Sequence, residues 1–463
     1  MTETAETVKA PHAGAKPPRT LMMTFLIFLA PMMLSNILQS LSGTINSVFL
    51  GHMIGVKALA AATQFFPIMF FMMAFVIGLG AGASVLIGQA YGKGDRERVL
   101  AIAGASLALA LTFGIVVALL GGIFAGPLMA GLQTPPDIIE DATLYAQIMM
   151  FSMPLFFLFL LATSILRGVG DAVTPLWTLA LSAGVSLLIT PLLITGSLGL
   201  PPMGVASAAV ASAISLLVAM AWLAWRLLRM KHALAPTPEL LARVKLDPKV
   251  LKLVMRLGIP TGIQMVFVAV AEIALLWMVN DHGSNATAAY GAINQILAYV
   301  QFPAMSIGIT ASILGAQAIG AGRQHQLWAI TRTALILNAI ITGGGVLIVY
   351  LLSGPIVTMF ITDPSVIAMT QRLLHIVLWS AVLFGFAVVF SSMMRSSGTV
   401  LAPTFIGIFA ILAVEVPTAW YLSRAIGIDG IWWAYPAAFT AMFIMQGSFY
   451  GLIWRRKTIR ALV

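Results

Sequence analysis

The chain contains no cysteine. That excludes disulfides, thiolate metal centres and cysteine nucleophiles. Charge is nearly as scarce: only 9% of the 463 residues are Asp, Glu, Lys or Arg, against 60% hydrophobic and a mean hydropathy of +1.00. A water-soluble protein of this length needs far more charge to cover its surface, so a soluble globular class is excluded. Strict polar/apolar alternation is missing too, which argues against a membrane β-barrel. What remains is a set of long apolar runs. Twelve of about 20–28 residues can be drawn, each able to cross a hydrocarbon core of about 30 Å. The expected fold class is an all-α polytopic membrane protein with twelve transmembrane helices.

The net charge of +10 reports topology. With the N-terminus placed inside, all but Lys57, Arg372 and Arg424 of the 25 basic residues fall on the inner side. This is the positive-inside pattern with both termini cytoplasmic, and it removes the reason to expect a nucleic-acid partner. Residues 1–20 are polar and carry three prolines, and read as a disordered cytoplasmic tail. The first apolar run is too long for a signal-peptide core.

A short polar hinge occurs twice. Arg167-Gly168-Val169-Gly170-Asp171-Ala172-Val173-Thr174-Pro175 and Arg395-Ser396-Ser397-Gly398-Thr399-Val400-Leu401-Ala402-Pro403 place Arg, Gly and Pro at the same offsets, 228 positions apart. Other pairs keep nearly the same spacing: Pro31 with Pro260, Ser84 with Ser312, Gln89 with Gln317, Gly92 with Gly320, and Pro191 with Pro417. Two pseudo-symmetric six-helix bundles are expected, residues 21–230 and 257–455, joined by a linker at 231–256 and followed by a cytoplasmic tail at 456–463. The linker mixes Leu240, Leu241, Val244 and Val250 with Arg243, Lys245 and Lys249; an amphipathic helix on the membrane surface and a solvated connector both suit it. Six helices per half give parallel repeats, with a cleft between the bundles.

These motifs resemble those of multidrug and toxic compound extrusion (MATE) transporters of the multidrug/oligosaccharidyl-lipid/polysaccharide (MOP) exporter superfamily. The first hinge is similar to the family's Arg-Gly-x-Gly-Asp-x-x-x-Pro, and Gly88-Gln89-Ala90-Tyr91-Gly92-Lys93-Gly94 to its Gly-Gln-Ala-x-Gly-x-Gly. The resemblance spans about residues 20–455. It implies an exporter of small amphipathic, often cationic organic compounds, driven by inward H⁺ or Na⁺ flux, with no cofactor and no enzymatic activity. A bacterial-type inner membrane, contact with lipids and a monomeric state complete the expectation.

Coupling to an ion requires an ionisable group in the low-dielectric region. Of the 15 acids, only Glu272 in helix 7 and Glu415 in helix 11 lie well inside apolar spans, and His375 in helix 10 is the corresponding histidine. All three fall in the outer half of the membrane in the second bundle. Glu272 and Glu415 are expected to carry H⁺, or to supply oxygen ligands to Na⁺; His375, nearer the interface, suits a structural role better. Where the resemblance leads one to look for first-half acids, the chain has Asn46, Ser186 and Thr190. Where a NorM-like branch has helix-7 and helix-10 acids, it has Val268 and Phe384. Asn36, Gln39 and Asn46 in helix 1, and Asn294 and Gln295 in helix 8, are candidate substrate contacts or interhelical hydrogen bonds. Methionines of helices 1 and 2 beside Phe65, Phe66, Phe70 and Phe71 suit a promiscuous pocket, but lipid-facing filler is the simpler account.

Arg167 and Arg395 are expected at the inner helix ends, binding lipid phosphate or capping carbonyls. A flippase for lipids or lipid-linked sugars is the rival within transport, and the absence of a central intramembrane Lys or Arg counts against it. An intramembrane enzyme lacks a clustered catalytic constellation, and a channel lacks rings of pore charges.

Overall fold

The computed structural model describes residues 20–196, 202–361 and 363–463. The expected N-terminal tail therefore lies almost wholly outside the described residues. Twelve helices among the described residues are long and apolar enough to span a membrane. They are α1 (Leu21–Ile54), α2 (Lys57–Lys93), α3 (Arg96–Gly131), α4 (Ile139–Gly168), α5 (Val173–Thr195), α6 (Ala206–Arg229), α7 (Pro248–Asn280), α8 (Ser284–Gly320), α9 (Gln324–Leu351), α10 (Pro364–Ser396), α11 (Leu401–Ile426) and α12 (Ile428–Arg456). The chain is an all-α, multi-pass membrane protein.

Polar caps start the helices where the sequence turns apolar. The Asp95 carboxylate accepts from the Arg98 amide at 2.9 Å to open α3, and Asp247 accepts from the Lys249 amide at 2.9 Å to open α7. At α10 the Asp363 carboxylate accepts from the Ser365 hydroxyl at 2.7 Å and from the Ser365 and Val366 amides. These bonds, the Ser365 hydroxyl first, hold Asp363 below the usual carboxylate range.

The linker is shorter than the sequence suggested. Helix α7 already begins at Pro248, so Lys249, Lys252 and Arg256 ride on its first turns instead of on a separate segment. The connector before it forms one short helix, Pro238–Leu241, and buries Leu234, Ala235 and Leu240 against the first bundle. Arg96 pairs with Glu239 at 2.8 Å, fastening the connector to α3. Neither a free solvated connector nor one amphipathic surface helix describes it. The cause is Asp247, whose cap starts the helix before the apolar run does.

Both hinges close in the same way. The Gly170 amide donates to the Arg167 carbonyl and the Asp171 amide to Leu166; the Gly398 amide donates to Arg395 and the Thr399 amide to Met394. Gly170 and Gly398 take positive φ of 99° and 83°, a conformation that costs glycine little. Asp171 then accepts from the Val173 and Thr174 amides to start α5, with His232 at 3.9 Å, so its partners are a helix end and a histidine.

Where the hinges meet, they pin the two halves together. Gln89 at the end of α2 donates through Nε2 to the Ser396 carbonyl at 2.8 Å, and Gln317 at the end of α8 donates to the Gly168 carbonyl at 3.0 Å. Each glutamine thus satisfies a carbonyl at the opposite half's hinge. The approach needs glycine: a Cβ on Gly92 would lie 2.1 Å from the Gln317 carbonyl oxygen, and one on Gly320 would lie 1.8 Å from that of Gln89. The other hydrogen bonds between halves are Asn36 to Ser306 at 3.0 Å, Thr310 to the Met32 sulfur at 3.5 Å, and the Leu462 amide to Gln89 Oε1 at 2.7 Å. All five lie in the part of the helices nearer the basic face, the face that carries the hinges, Arg96 and Arg229. Toward the opposite face no hydrogen bond joins the halves among the described residues.

The three neutral hydrogen bonds that Gln89 and Gln317 make between the halves contribute about 3 kcal/mol together. Replacing both glutamines, as Gln89→Leu with Gln317→Leu, should loosen the basic face. A cysteine placed at Ser312, unique in this cysteine-free chain, should then react with a membrane-impermeant thiol reagent from the basic face about tenfold faster or more. Unchanged labelling would show that packing alone holds the halves.

Candidate functional site

A cavity of about 750 Å³ lies above this pinned zone. One face of α7 supplies a wall: Leu257, Thr261, Gln264, Val268 and Glu272 recur at helical spacing and all line it. Helices α8, α10, α11 and α12 contribute Asn294, Phe384, Glu415 and Tyr435, and the first half contributes α2 residues such as Phe70 and Ser84 with Ser164 and Arg167 of α4.

Glu272 and Glu415 therefore share one cavity. Glu272 Oε2 accepts hydrogen bonds from the Tyr290 hydroxyl at 2.5 Å and the Tyr435 hydroxyl at 3.0 Å. Tyr435 stacks on Trp432, which fixes its ring. Glu415 is 7% exposed and makes no hydrogen bond or ion pair among the described residues. It ends a π-helical turn, Ala410–Glu415, just before Val416-Pro417. Pro417 has no amide hydrogen and its ring would crowd the carbonyl four residues back, so the ladder widens there and re-aims the side chain. Two carboxylates in one low-dielectric cavity repel each other, and a bound monovalent cation relieves that repulsion.

The other candidates lie elsewhere. Asn294 lines the cavity, whereas Gln295, Gln39, Asn36, Asn46 and His375 do not. Asn36 joins the halves through Ser306. Asn46 Oδ1 accepts from the Ser186 hydroxyl at 3.3 Å and the Thr190 hydroxyl at 3.4 Å, so these three neutral residues of the first half form one cluster. Gln39 is exposed. His375 Nε2 sits 3.1 Å from the Ser353 hydroxyl and its ring packs on Tyr350. Val268 and Phe384 line the same cavity as Glu272, one turn from it in the case of Val268. Met23, Phe66 and Phe71 are exposed and do not line the cavity; its methionines are Met265, Met305 and Met442 of the second half.

One expectation is corrected. Arg167 and Arg395 do not cap carbonyls, because the backbone turns already satisfy them, and they line the cavity. Arg395 donates through Nη1 to the Thr261 hydroxyl at 2.6 Å, through Nη2 to Gln264 Oε1 at 2.6 Å and through Nε to the Ser391 hydroxyl at 3.2 Å. Arg167 donates to the Ser164 hydroxyl at 3.0 Å. Both arginines reach the cleft from its basic end, although neither lies at the centre of a span. Sequence reasoning also missed Tyr290 and Tyr435, for which the available signal was a tyrosine inside an apolar span.

The MatE family profile matches residues 31–192 and again 260–421, once in each half. The chain is 41% identical over 439 residues to a probable multidrug resistance protein of Bacillus subtilis, YoeA, covering 94% of this chain and 95% of that protein. It is 25% identical to a probable multidrug resistance protein NorM of Thermotoga maritima, over 87% of this chain and 86% of the other. In fold it matches an outward-facing structure of a multidrug resistance MATE family transporter at a TM-score of 0.85 and 21% identity, covering 93% and 95% of the two chains. A MOP superfamily transporter from Pyrococcus furiosus matches at 0.85 and 21%, covering 95% and 97%. The chain belongs to the MatE family, and is a transporter and not an enzyme.

Tyr435→Phe removes one hydrogen bond to a carboxylate in the cavity and should lower stability by about 2 kcal/mol. The thermal unfolding midpoint in detergent should fall, while Tyr421→Phe, at a side chain 68% exposed, should leave it in place. Equal midpoints for both variants would contradict the role given to Tyr435.

Proposed function

We propose that the chain is a secondary multidrug efflux antiporter. It exports amphipathic, chiefly cationic organic compounds in exchange for H⁺ or Na⁺, alternating access between the two halves. The observation that carries this reading is the single cavity shared by Glu272 and Glu415, lined otherwise mostly by apolar side chains. A soft apolar wall with Met265, Met305 and Met442 accommodates varied organic bodies, and two carboxylates attract either a coupling ion or an organic cation. Occupancy by one excludes the other on charge grounds, which is the requirement for exchange.

The basic face is assigned to the cytoplasm of a bacterial-type inner membrane, with both termini there, on the positive-inside pattern. The conformation pinned at that face is then the one closed to the cytoplasm. Asn294 is the amide placed to touch substrate. Asn36, Asn46 and His375 serve as interhelical contacts, given their protein partners. One chain supplies both halves of the cavity, so a monomer suffices, solvated by lipid.

Reconstituted into vesicles, the protein should drive accumulation of a fluorescent organic cation under an imposed H⁺ or Na⁺ gradient, and the gradient that works identifies the ion. Glu272→Gln with Glu415→Gln should reduce gradient-driven transport at least tenfold with the thermal midpoint preserved. Full activity in that double variant would sink the assignment.

A further inference from the structure

The charge in the cavity is segregated along the membrane normal. Glu272 lies in the last third of α7, toward the opposite face, and Glu415 beyond the midpoint of α11. Arg167 and Arg395 come from the last turns of α4 and α10, at the basic end. Thr261 and Gln264, which hold Arg395, precede Glu272 on α7 by eleven and eight residues. At 1.5 Å per residue the two poles are about 12–16 Å apart.

No carboxylate pairs with either arginine among the described residues. Their partners are neutral: hydroxyls of Ser164, Thr261 and Ser391 and the Gln264 amide oxygen. An intramembrane cation without a counterion is costly, and persists where it has a use. Arg395 ties α10 to α7, which is one such use. Arg167 ties nothing, since its only described bond is to its own helix, and four of its five N–H donors are left over. The same cavity is lined by further hydroxyls: Ser84 with its repeat mate Ser312, and Ser164 with Ser392.

We propose that the basic end of the cavity is an anion-binding subsite, built on Arg167 and Arg395, that takes the carboxylate, sulfonate or phosphate group of an amphipathic substrate. The apolar wall takes the substrate's body. A zwitterion with its charges about 12–16 Å apart would meet both poles at once. The inference rests on this cavity being the substrate's path, and is independent of which ion drives transport.

The test uses purified full-length protein in neutral detergent and four dansyl-labelled probes with one common alkyl chain. They end in a carboxylate, a sulfonate, a primary amide or a trimethylammonium group, and fluorescence anisotropy reads their affinities. The carboxylate and sulfonate should bind at least about tenfold more tightly than the amide. In Arg167→Gln with Arg395→Gln that preference should vanish while the trimethylammonium probe keeps its affinity. Should that variant fail to fold, Arg167→Gln alone breaks only a bond within its own helix and should still reduce the preference. Equal affinity for the anionic and amide probes in the natural protein would overturn the proposal, as would a preference that survives Arg167→Gln with Arg395→Gln or a loss of trimethylammonium binding with it. Glu272→Gln with Glu415→Gln should leave the anion preference intact, which separates this result from failure of the coupling assignment. Displacement of the carboxylate probe by phosphatidylglycerol in mixed micelles identifies a lipid headgroup as the occupant. Persistence of the probe identifies a soluble amphiphile, and either result retains the subsite.

Discussion

The exchange of hydrogen bonds between Gln89 and Gln317 and the opposite hinges fixes how the two halves meet. Each glutamine satisfies a carbonyl left open at the end of the other half's helix, so neither hinge is complete without its partner. The bonds form only because Gly92 and Gly320 let the α2 and α8 backbones touch. Everything above this zone follows from it. The halves diverge toward the opposite face, a cavity opens between them, and hinge arginines freed from capping turn into that cavity. The same seam brings Gly78 and Gly82 of α2 against the Gly258 backbone of α7, so close packing and hydrogen bonds hold the halves together.

On this symmetric scaffold the chemistry is one-sided. The first half carries the neutral cluster of Asn46, Ser186 and Thr190, whose hydrogen bonds are satisfied internally and need no ion. The second half carries Glu272, stabilised by two tyrosine hydroxyls, and Glu415, buried with no protein partner among those described. A carboxylate already supplied with donors and one without respond differently to a cation. Under the proposed ion coupling, that difference would let a single cavity change its preferred partner as the ion arrives. The arginines at the far end make the cavity bipolar.

Much of the fold was legible in the sequence, for physical reasons. Twelve apolar runs and the repeated hinge are one-dimensional signals of membrane crossing and duplication. The acids stood out because Glu272 and Glu415 interrupt apolar spans, where a charge is costly. What the sequence did not disclose were directions. Arg167 and Arg395 look like interfacial anchors at helix ends, and only the backbone turns at Gly170 and Gly398 show that no carbonyl there needs them. Tyr290 and Tyr435 resemble ordinary apolar filler until their hydroxyls meet Glu272. The early start of α7 at Pro248 was hidden because Lys249, Lys252 and Arg256 read as linker, although Asp247 caps a helix that contains them. The phenylalanines of α2 show the converse, a suggestive cluster of which only Phe70 lines the cavity.

The central claim is that ion occupancy at Glu272 and Glu415 decides which face of the two-lobed structure is open. Distances between spin labels on the two halves test it directly. One pair is placed at the basic face, Glu97→Cys with Gln324→Cys, and another at the opposite face, Asp137→Cys with Asp281→Cys, in a chain with no other cysteine. On changing pH or Na⁺, the account predicts that one distance lengthens while the other shortens, and that Glu272→Gln with Glu415→Gln abolishes the response. Distances that do not move with the ion, or that move equally in that double variant, would contradict it.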